Sequence, residues 1–198
     1  AKMVSKTVRI SSLLLFPMMV GLAAVAEPLV SLLLTDKWLE CVPYLQIFAI
    51  GYLFQAIQLA IIQAIKAIGD SGTPLKLEII KKCVEVFFLI VTIRQGVLIF
   101  ASSLLICSVI SHLLNMFAAK RILNYTVKQQ LIDILPATLF SAVMAACVKC
   151  VTQLLNGAFV SLVAGIATGV AVYLLLCMLF RVPEIKQLQN KLFKRKYT

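Results

Sequence analysis

The sequence predicts an all-α, polytopic membrane protein with six transmembrane helices. Two observations support this prediction. Of the 198 residues, 62% are hydrophobic and only 14% are charged, with a mean hydropathy of +1.01, and six long apolar runs follow one another along the chain. Soluble domains are about half apolar and about a quarter charged, so the composition excludes them. A cleaved signal peptide is also excluded, because the first apolar run is too long and several more follow.

The first two predicted spans are residues 10–34 and 41–65. The first is interrupted near its far end by Glu27 and Pro28, whereas the second contains no charged residue. As a helix, the second run reaches about 37 Å at about 1.5 Å per residue. It therefore crosses a hydrocarbon core of about 30 Å with room for tilt.

The other predicted spans differ in their charge. The third is the weakest, because charged residues occupy its first half and its charge-free remainder is too short to cross alone. This helix must therefore begin in the interface and turn its charges towards water or protein. The four spans are residues 77–93, 95–119, 134–155 and 158–180, and a basic tail follows at residues 181–198. Residues 1–180 thus form one six-helix lobe.

The distribution of Lys and Arg predicts the topology. Sixteen of the nineteen lie in the amino-terminal flank, in the connections between spans two and three and between spans four and five, or in the tail. The opposite side has only Lys37, Arg94 and Lys149. By the positive-inside rule both termini are cytoplasmic. The net charge of +11 is thereby explained by loops facing anionic lipid, and we expect no nucleic-acid partner.

Several short segments carry a family resemblance. The first span and its loop contain Phe16-Pro17-Met18-Met19, Gly21-Leu22-Ala23, Glu27-Pro28-Leu29-Val30, Lys37-Trp38 and Pro43. Residues 63–82 read QAIKAIGDSGTPLKLEIIKK, and residues 120–136 read KRILNYTVKQQLIDILP. In order and spacing these segments resemble the C-terminal half of the polysaccharide-transporter flippases, the O-antigen and exopolysaccharide exporters of the MATE-like superfamily.

The resemblance implies a fold, a location and partners. It implies a bacterial inner-membrane transporter that moves a polyprenyl-diphosphate-linked oligosaccharide between two six-helix lobes. This chain corresponds to the second lobe, so the expected partners are membrane lipid, the lipid-linked substrate and an N-terminal six-helix lobe. The chain begins with Ala1, and we expect a fragment of a longer protein.

Polar residues within apolar spans are the candidates for a substrate cavity, because they are costly in lipid. They are Gln55, Gln58, Glu85 and Lys149. The two glutamines share a helix face and either line a hydrated cavity or form interhelical hydrogen bonds. Glu85 either pairs with lysines on its own helix or binds a proton or cation. Lys149 either snorkels to the interface or contacts a lipid diphosphate.

Three residues of the first span are hinge candidates: Pro17, Gly21 and Pro28. Proline removes a backbone donor and permits a bend, which is compatible with a moving helix and with a static kink. Glu27 is expected either to support this bend and cap the helix or to take part in ion coupling. His112 is expected to be a packed polar residue.

The sequence contains no pattern typical of an enzyme. It has no nucleophile–base pair, no Walker loop and no glycine-rich phosphate cradle. Cys147 and Cys150 have the CxxC spacing, but without a second such pair, and we expect neither a metal nor a cofactor. Energy would come from an ion gradient or from consumption of the delivered substrate. Two alternatives stay open: half of a cation-coupled multidrug exporter, and a non-transporting six-helix protein or gene remnant.

Overall fold

The computed structural model describes residues 2–155 and 157–180. Within them the chain forms eight α-helices. They are α1 (Lys2–Ala24), α2 (Ala26–Leu34), α3 (Val42–Gly51), α4 (Gln55–Ala67), α5 (Gly72–Thr92), α6 (Val97–Leu123), α7 (Val127–Leu154) and α8 (Ala158–Leu179). Two 3₁₀ segments, Asp36–Cys41 and Tyr52–Phe54, precede α3 and α4. The basic tail at residues 181–198 lies outside the described residues.

Five helical stretches of the described residues are long and apolar enough to cross a membrane. They are Met3–Ala24, Asp36–Ala67, Val97–Leu123, Val127–Leu154 and Ala158–Leu179. Helix α5 has 21 residues, about 32 Å, but its charges keep it out of this group. The part of the chain that the structure describes is therefore helical without strands, and the chain is a multi-pass membrane protein, as its composition predicts.

Several helices extend beyond the predicted spans. Helix α7 begins at Val127, seven residues before the predicted start of the fifth span. Its start is fixed by a capping box, in which the Thr126 hydroxyl accepts from the Gln129 backbone N–H and the Gln129 side chain accepts from the Thr126 N–H. Hydropathy locates only the part of a helix that lies in lipid, so it misses polar first turns such as this one.

The bundle has a tightly packed side, called the closed side, and a loosely packed side, called the open side. On the closed side, α1 packs mainly against α7, and α7 packs against α8. Gly165 and Gly169 of α8 lie against α7, where a Cβ on Gly169 would come within 3.3 Å of Val148. Small residues allow this close approach of two backbones within a membrane. On the open side, α5 packs on α6 and touches α4 only sparsely.

A buried polar cluster joins α1 and α7 at the end of the bundle where α1 begins. Asp133 accepts hydrogen bonds from the hydroxyls of Ser5 and Tyr125, the latter at 2.7 Å. Gln130 donates from Nε2 to the carbonyl oxygens of Met116 and Tyr125. Burial, with the Asp133 hydrogen bond, raises the pKa of Tyr125 well above its ordinary value, so the hydroxyl remains a donor.

Candidate functional site

The first predicted span is broken between α1 and α2 at Val25. The break lies between two hinge candidates, Gly21 and Pro28. Pro28 has no N–H to donate to the carbonyl of Ala24, which removes one helical hydrogen bond at this point. The neighbouring carbonyl of Ala23 accepts from Gln46 Nε2 of α3 at 3.1 Å. The bend is therefore supported from outside the helix.

Pro17, the third hinge candidate, lies inside α1 without interrupting it. Its missing N–H would have bonded to the carbonyl of Leu13. That carbonyl instead accepts from the Tyr173 hydroxyl of α8, at 2.6 Å. A neighbouring helix thus replaces the lost hydrogen bond, as is common for proline in membrane helices.

The α-helix of the second predicted span is interrupted by one turn of 3₁₀ helix, a break in the α-helical hydrogen-bond pattern that its uniform hydropathy did not predict. Helix α3 ends at Gly51, a 3₁₀ turn covers Tyr52–Phe54, and α4 begins at Gln55. The Gly51 carbonyl accepts from the Ser108 hydroxyl of α6 at 2.6 Å. A 3₁₀ turn in the middle of a helix often marks a functional hinge. The sequence signal available was Gly51 in the middle of a long apolar run.

A cavity of about 490 Å³ lies beside this break, between the α3–α4 segment, α5 and α6. Part of its wall is apolar, from residues such as Ile47, Phe48, Leu104 and Leu105. The polar lining comes from all three sides and is composed of Tyr52, Gln55, Gln58, Glu78, Lys81, Lys82, Glu85, Ser108 and Ser111. The structure therefore brings together three of the four cavity candidates, Gln55, Gln58 and Glu85.

The charges of α5 form two ion pairs at the cavity wall. Lys82 Nζ lies 2.6 Å from Glu85 Oε2, and Lys81 Nζ lies 3.7 Å from Glu78 Oε2. Both pairs are three residues apart. Lys81 is buried, at 5% exposure, and its carboxylate partner lies beyond hydrogen-bonding distance. A buried ammonium with so loose a partner is suited to bind an anion entering the cavity.

Gln58 has a structural contact as well as a place in the wall. Its Oε1 accepts from Nδ2 of the fully buried Asn115 on α6, at 3.0 Å. This hydrogen bond joins α4 to α6, which is one of the two uses that the sequence left open. Gln55 is exposed and also lines the cavity.

Lys149 lies apart from the other candidates. It is an exposed residue of α7, a helix that contributes nothing to the cavity wall. Lys149 does not line the cavity that contains Gln55, Gln58 and Glu85, because α7 packs on the closed side against α1 and α8. A contact between Lys149 and a lipid diphosphate stays a prediction. The exposure of Lys149 agrees with a snorkelling side chain.

The remaining residues singled out from the sequence do not line the cavity. His112 is buried and stacks on Phe54, with ring centroids 4.5 Å apart. Glu27 is exposed on α2. Cys147 and Cys150 are free thiols, and the described residues contain no group of metal-ligating side chains.

Sequence reasoning missed several residues of the site. The sequence pattern indicates only an ion pair for Lys81 within its own helix, but the structure places it in the cavity wall as a buried cation. Ser108, Ser111 and Asn115 were not singled out. Their spacing of three and four residues places them on one face of the fourth span, and this pattern could have identified them.

Two comparisons with known proteins bear on the fold. Residues 1–43 match the family model described as polysaccharide biosynthesis protein. The solved structure titled "Lipid II flippase MurJ, inward closed conformation" matches 92% of this chain with a TM-score of 0.78 and 22% sequence identity. The chain spans 39% of the length of that structure. No curated protein matches the sequence. The family match confirms the resemblance to polysaccharide biosynthesis proteins over residues 1–43, and the structural match shows that the chain has a MurJ-like fold.

Proposed function

We propose that this chain is one lobe of a flippase that moves a polyprenyl-diphosphate-linked oligosaccharide, or a related exopolysaccharide unit, across the bacterial inner membrane. The observation that carries the proposal is a polar cavity at the break between α3 and α4, within a stretch that is otherwise long and apolar enough to cross a membrane. Polar groups are costly within the membrane, so a helix bundle that only had to sit in lipid would have no need of such a cavity.

The cavity lining suits a glycan linked to a diphosphate. The amides of Gln55 and Gln58 and the hydroxyls of Ser108 and Ser111 offer donors and acceptors to sugar hydroxyls. Lys81 offers a buried positive charge to a phosphate oxygen. The family match over residues 1–43 supports the same substrate class. A coupled multidrug exporter is less well supported, because Glu85 is engaged by Lys82 instead of being available to a cation.

Location and partners are part of the proposal. The distribution of Lys and Arg supports the inner membrane with both termini in the cytoplasm. Since the chain spans 39% of the MurJ structure, we propose that transport requires an N-terminal six-helix lobe. We further propose that the protein is a transporter and not an enzyme, with membrane lipid and the lipid-linked substrate as its other partners.

The test is to follow lipid-linked repeat units in cells that lack the gene encoding this chain. We expect the units to accumulate with their sugars in the cytoplasmic leaflet, unreachable by an impermeant sugar-modifying enzyme added to spheroplasts. The intact gene should restore access. Unchanged glycan export together with altered dye sensitivity would contradict the proposal and favour a multidrug exporter.

A further inference from the structure

Two hydrogen bonds join the α3–α4 segment to α6 along one wall of the cavity. Ser108 Oγ donates to the Gly51 carbonyl at 2.6 Å, and Asn115 Nδ2 donates to Gln58 Oε1 at 3.0 Å. On each helical segment the two bonded residues are seven positions apart, which is about 10 Å along the axis. This wall therefore has two fixed polar points about two helical turns apart.

At the first point the wall presents a hydrogen-bond acceptor. The backbone N–H of Gln55 donates to the Tyr52 carbonyl in the 3₁₀ turn, so the Gly51 carbonyl lacks its usual helical donor. The Ser108 hydroxyl donates to it instead. A serine hydroxyl has one hydrogen and two lone pairs. With its hydrogen committed, Ser108 offers only lone pairs to the cavity that it lines, and these suit a group that donates.

At the second point the wall presents a donor. Asn115 binds the side-chain oxygen of Gln58, while none of the described residues accepts a hydrogen bond from Gln58 Nε2. Asn115 is fully buried and its own Oδ1 has no partner among the described residues, which is costly. Two apolar residues would join the helices without that cost. The contact is therefore better explained by its effect on Gln58, whose amide hydrogens are left for a ligand.

The donor point lies at the level of the buried Lys81. Gln58 is nine residues before the end of α4 at Ala67, and Lys81 is nine residues after the start of α5 at Gly72. Both are thus about 14 Å along their helices from the turn that joins them. A lysine ammonium can only donate. Two donors therefore share this level, whereas Ser108 lies about two turns further from the α4–α5 turn.

A lipid-linked sugar has a matching polarity. Phosphate oxygens are strong acceptors, whereas sugar hydroxyls can also donate. The carboxylates of Glu78 and Glu85 in the cavity wall would repel a phosphate, but each lies beside a lysine of α5. A diphosphate therefore fits the level of the two donors, and sugar hydroxyls fit the acceptor at Ser108.

We propose that this wall orients the substrate in the cavity. The diphosphate accepts hydrogen bonds from Lys81 and Gln58, and the sugar extends about 10 Å along the wall, where a hydroxyl donates to Ser108. This inference rests on the proposed function and deepens it, because it gives the substrate a direction. With the α4–α5 turn on the cytoplasmic side, as proposed from the distribution of Lys and Arg, the sugar lies nearer the outer side than the diphosphate.

Two substitutions and two probes test the orientation in the full protein, reconstituted in lipid vesicles. Gln58→Glu keeps an oxygen for Asn115 and replaces the donor by an acceptor of nearly equal size, whereas Ser108→Ala removes the hydroxyl. One probe is radiolabelled polyprenyl diphosphate without sugar, and the other is the same lipid carrying a disaccharide. Equilibrium binding of each probe is measured, and thermal unfolding shows that each variant is folded.

We expect Gln58→Glu to weaken the binding of both probes at least tenfold, because an acceptor then faces the diphosphate. Ser108→Ala should weaken the disaccharide probe several-fold and leave the sugar-free probe unchanged. A purely structural role of Ser108 would change both probes alike. Equal effects of Ser108→Ala on the two probes, including no effect on either, would overturn the proposal, as would unchanged binding by Gln58→Glu.

Gln55→Glu is the matched control for the added charge. It places the same carboxylate on the same helix and in the same cavity wall, about one turn closer to Ser108. Its effect on the sugar-free probe should be several-fold smaller than that of Gln58→Glu. Equal losses in the two variants would show that charge alone is responsible, and would overturn the role given to Gln58.

Failure of this inference can be told from failure of the proposed function. If the unsubstituted protein binds and moves the disaccharide probe but Ser108→Ala does not distinguish the two probes, the orientation is rejected and the flippase is kept. If the unsubstituted protein neither binds the probes nor moves the disaccharide probe, the flippase is rejected, and the orientation with it.

Discussion

Helices α5 and α8 are of nearly equal length, 21 and 22 residues, but they meet the rest of the bundle in opposite ways. Helix α8 has no charged residue and is drawn against α7 by its glycines. Helix α5 carries two ion pairs, touches α4 only sparsely and borders the polar cavity. In this chain, α8 provides close packing and α5 provides part of the candidate binding site.

The difference has a physical basis. Tight packing in a membrane depends on small residues and matched surfaces, which leave no space for a ligand. A hydrated cavity requires polar groups that are not fully satisfied by the protein, and this lowers stability. We therefore expect substitutions on the closed side to affect folding, and substitutions on the open side to affect transport.

The largest effect on stability is expected from Gly165→Val. A Cβ at this position would lie 3.0 Å from Thr152 Cγ2 and 3.1 Å from Val25 Cγ1, so the larger side chain forces α8 away from α7 and from the bend at Val25. Overpacking of this kind costs about 1–3 kcal/mol or more. Thermal unfolding in detergent, followed by circular dichroism, measures the loss.

Gly51→Ala is the matched control for that substitution. A Cβ at Gly51 meets nothing within 4 Å, and its φ of −60° suits any residue. The melting temperature should stay unchanged or rise slightly. Equal losses in the two variants would contradict the division into a closed and an open side.

The next effect is expected from Asp133→Ala, also on the closed side. The substitution leaves the buried hydroxyl of Tyr125 and the partly buried hydroxyl of Ser5 without their acceptor, at a cost of about 1–3 kcal/mol. Asp36→Ala removes an exposed carboxylate that likewise accepts from a serine, Ser31, and should cost less than about 0.5 kcal/mol. Guanidinium unfolding of the two purified variants compares them, and similar midpoints would contradict a role for the buried cluster.

The sequence predicted the membrane class, the family resemblance and the sequence order of the helices, because these depend on hydropathy and local pattern. It did not predict the break at Gly51, since the surrounding run is apolar on both sides and the break is supported by Ser108, 57 positions away. It placed Gln58 and Glu85 among the cavity candidates from their cost in lipid. Cost in lipid does not reveal which side of a bundle a helix faces, so the sequence could not place Lys149 relative to them.

A smaller effect is expected from Tyr173→Phe. The substitution removes the donor to the Leu13 carbonyl that Pro17 leaves without a helical partner. Hydrogen bonds between membrane helices contribute about 0.6 kcal/mol on average, with a maximum near 1.7 kcal/mol. In a Pro17→Ala background the helix supplies its own N–H, so the same substitution should cost less. A double-mutant cycle on unfolding free energy measures the difference, and equal costs in both backgrounds would show that Tyr173 does not compensate for the proline.

The smallest effect on stability, with the largest effect on transport, is expected from Lys81→Met. Methionine has nearly the volume of the lysine stem and needs no ionic partner, so the substitution removes the desolvation cost of a buried charge. Glu78 is not stranded by the change, because its side chain is 53% exposed. The melting temperature should therefore hold or rise, while transport of a polyprenyl-diphosphate-linked sugar should fall at least tenfold, since an anion at the cavity would lose its buried partner. Lys81→Arg keeps the charge and should retain part of the activity. Full transport by Lys81→Met would show that the buried cation serves the fold alone. It would also show that α5 does not bind the substrate through this residue.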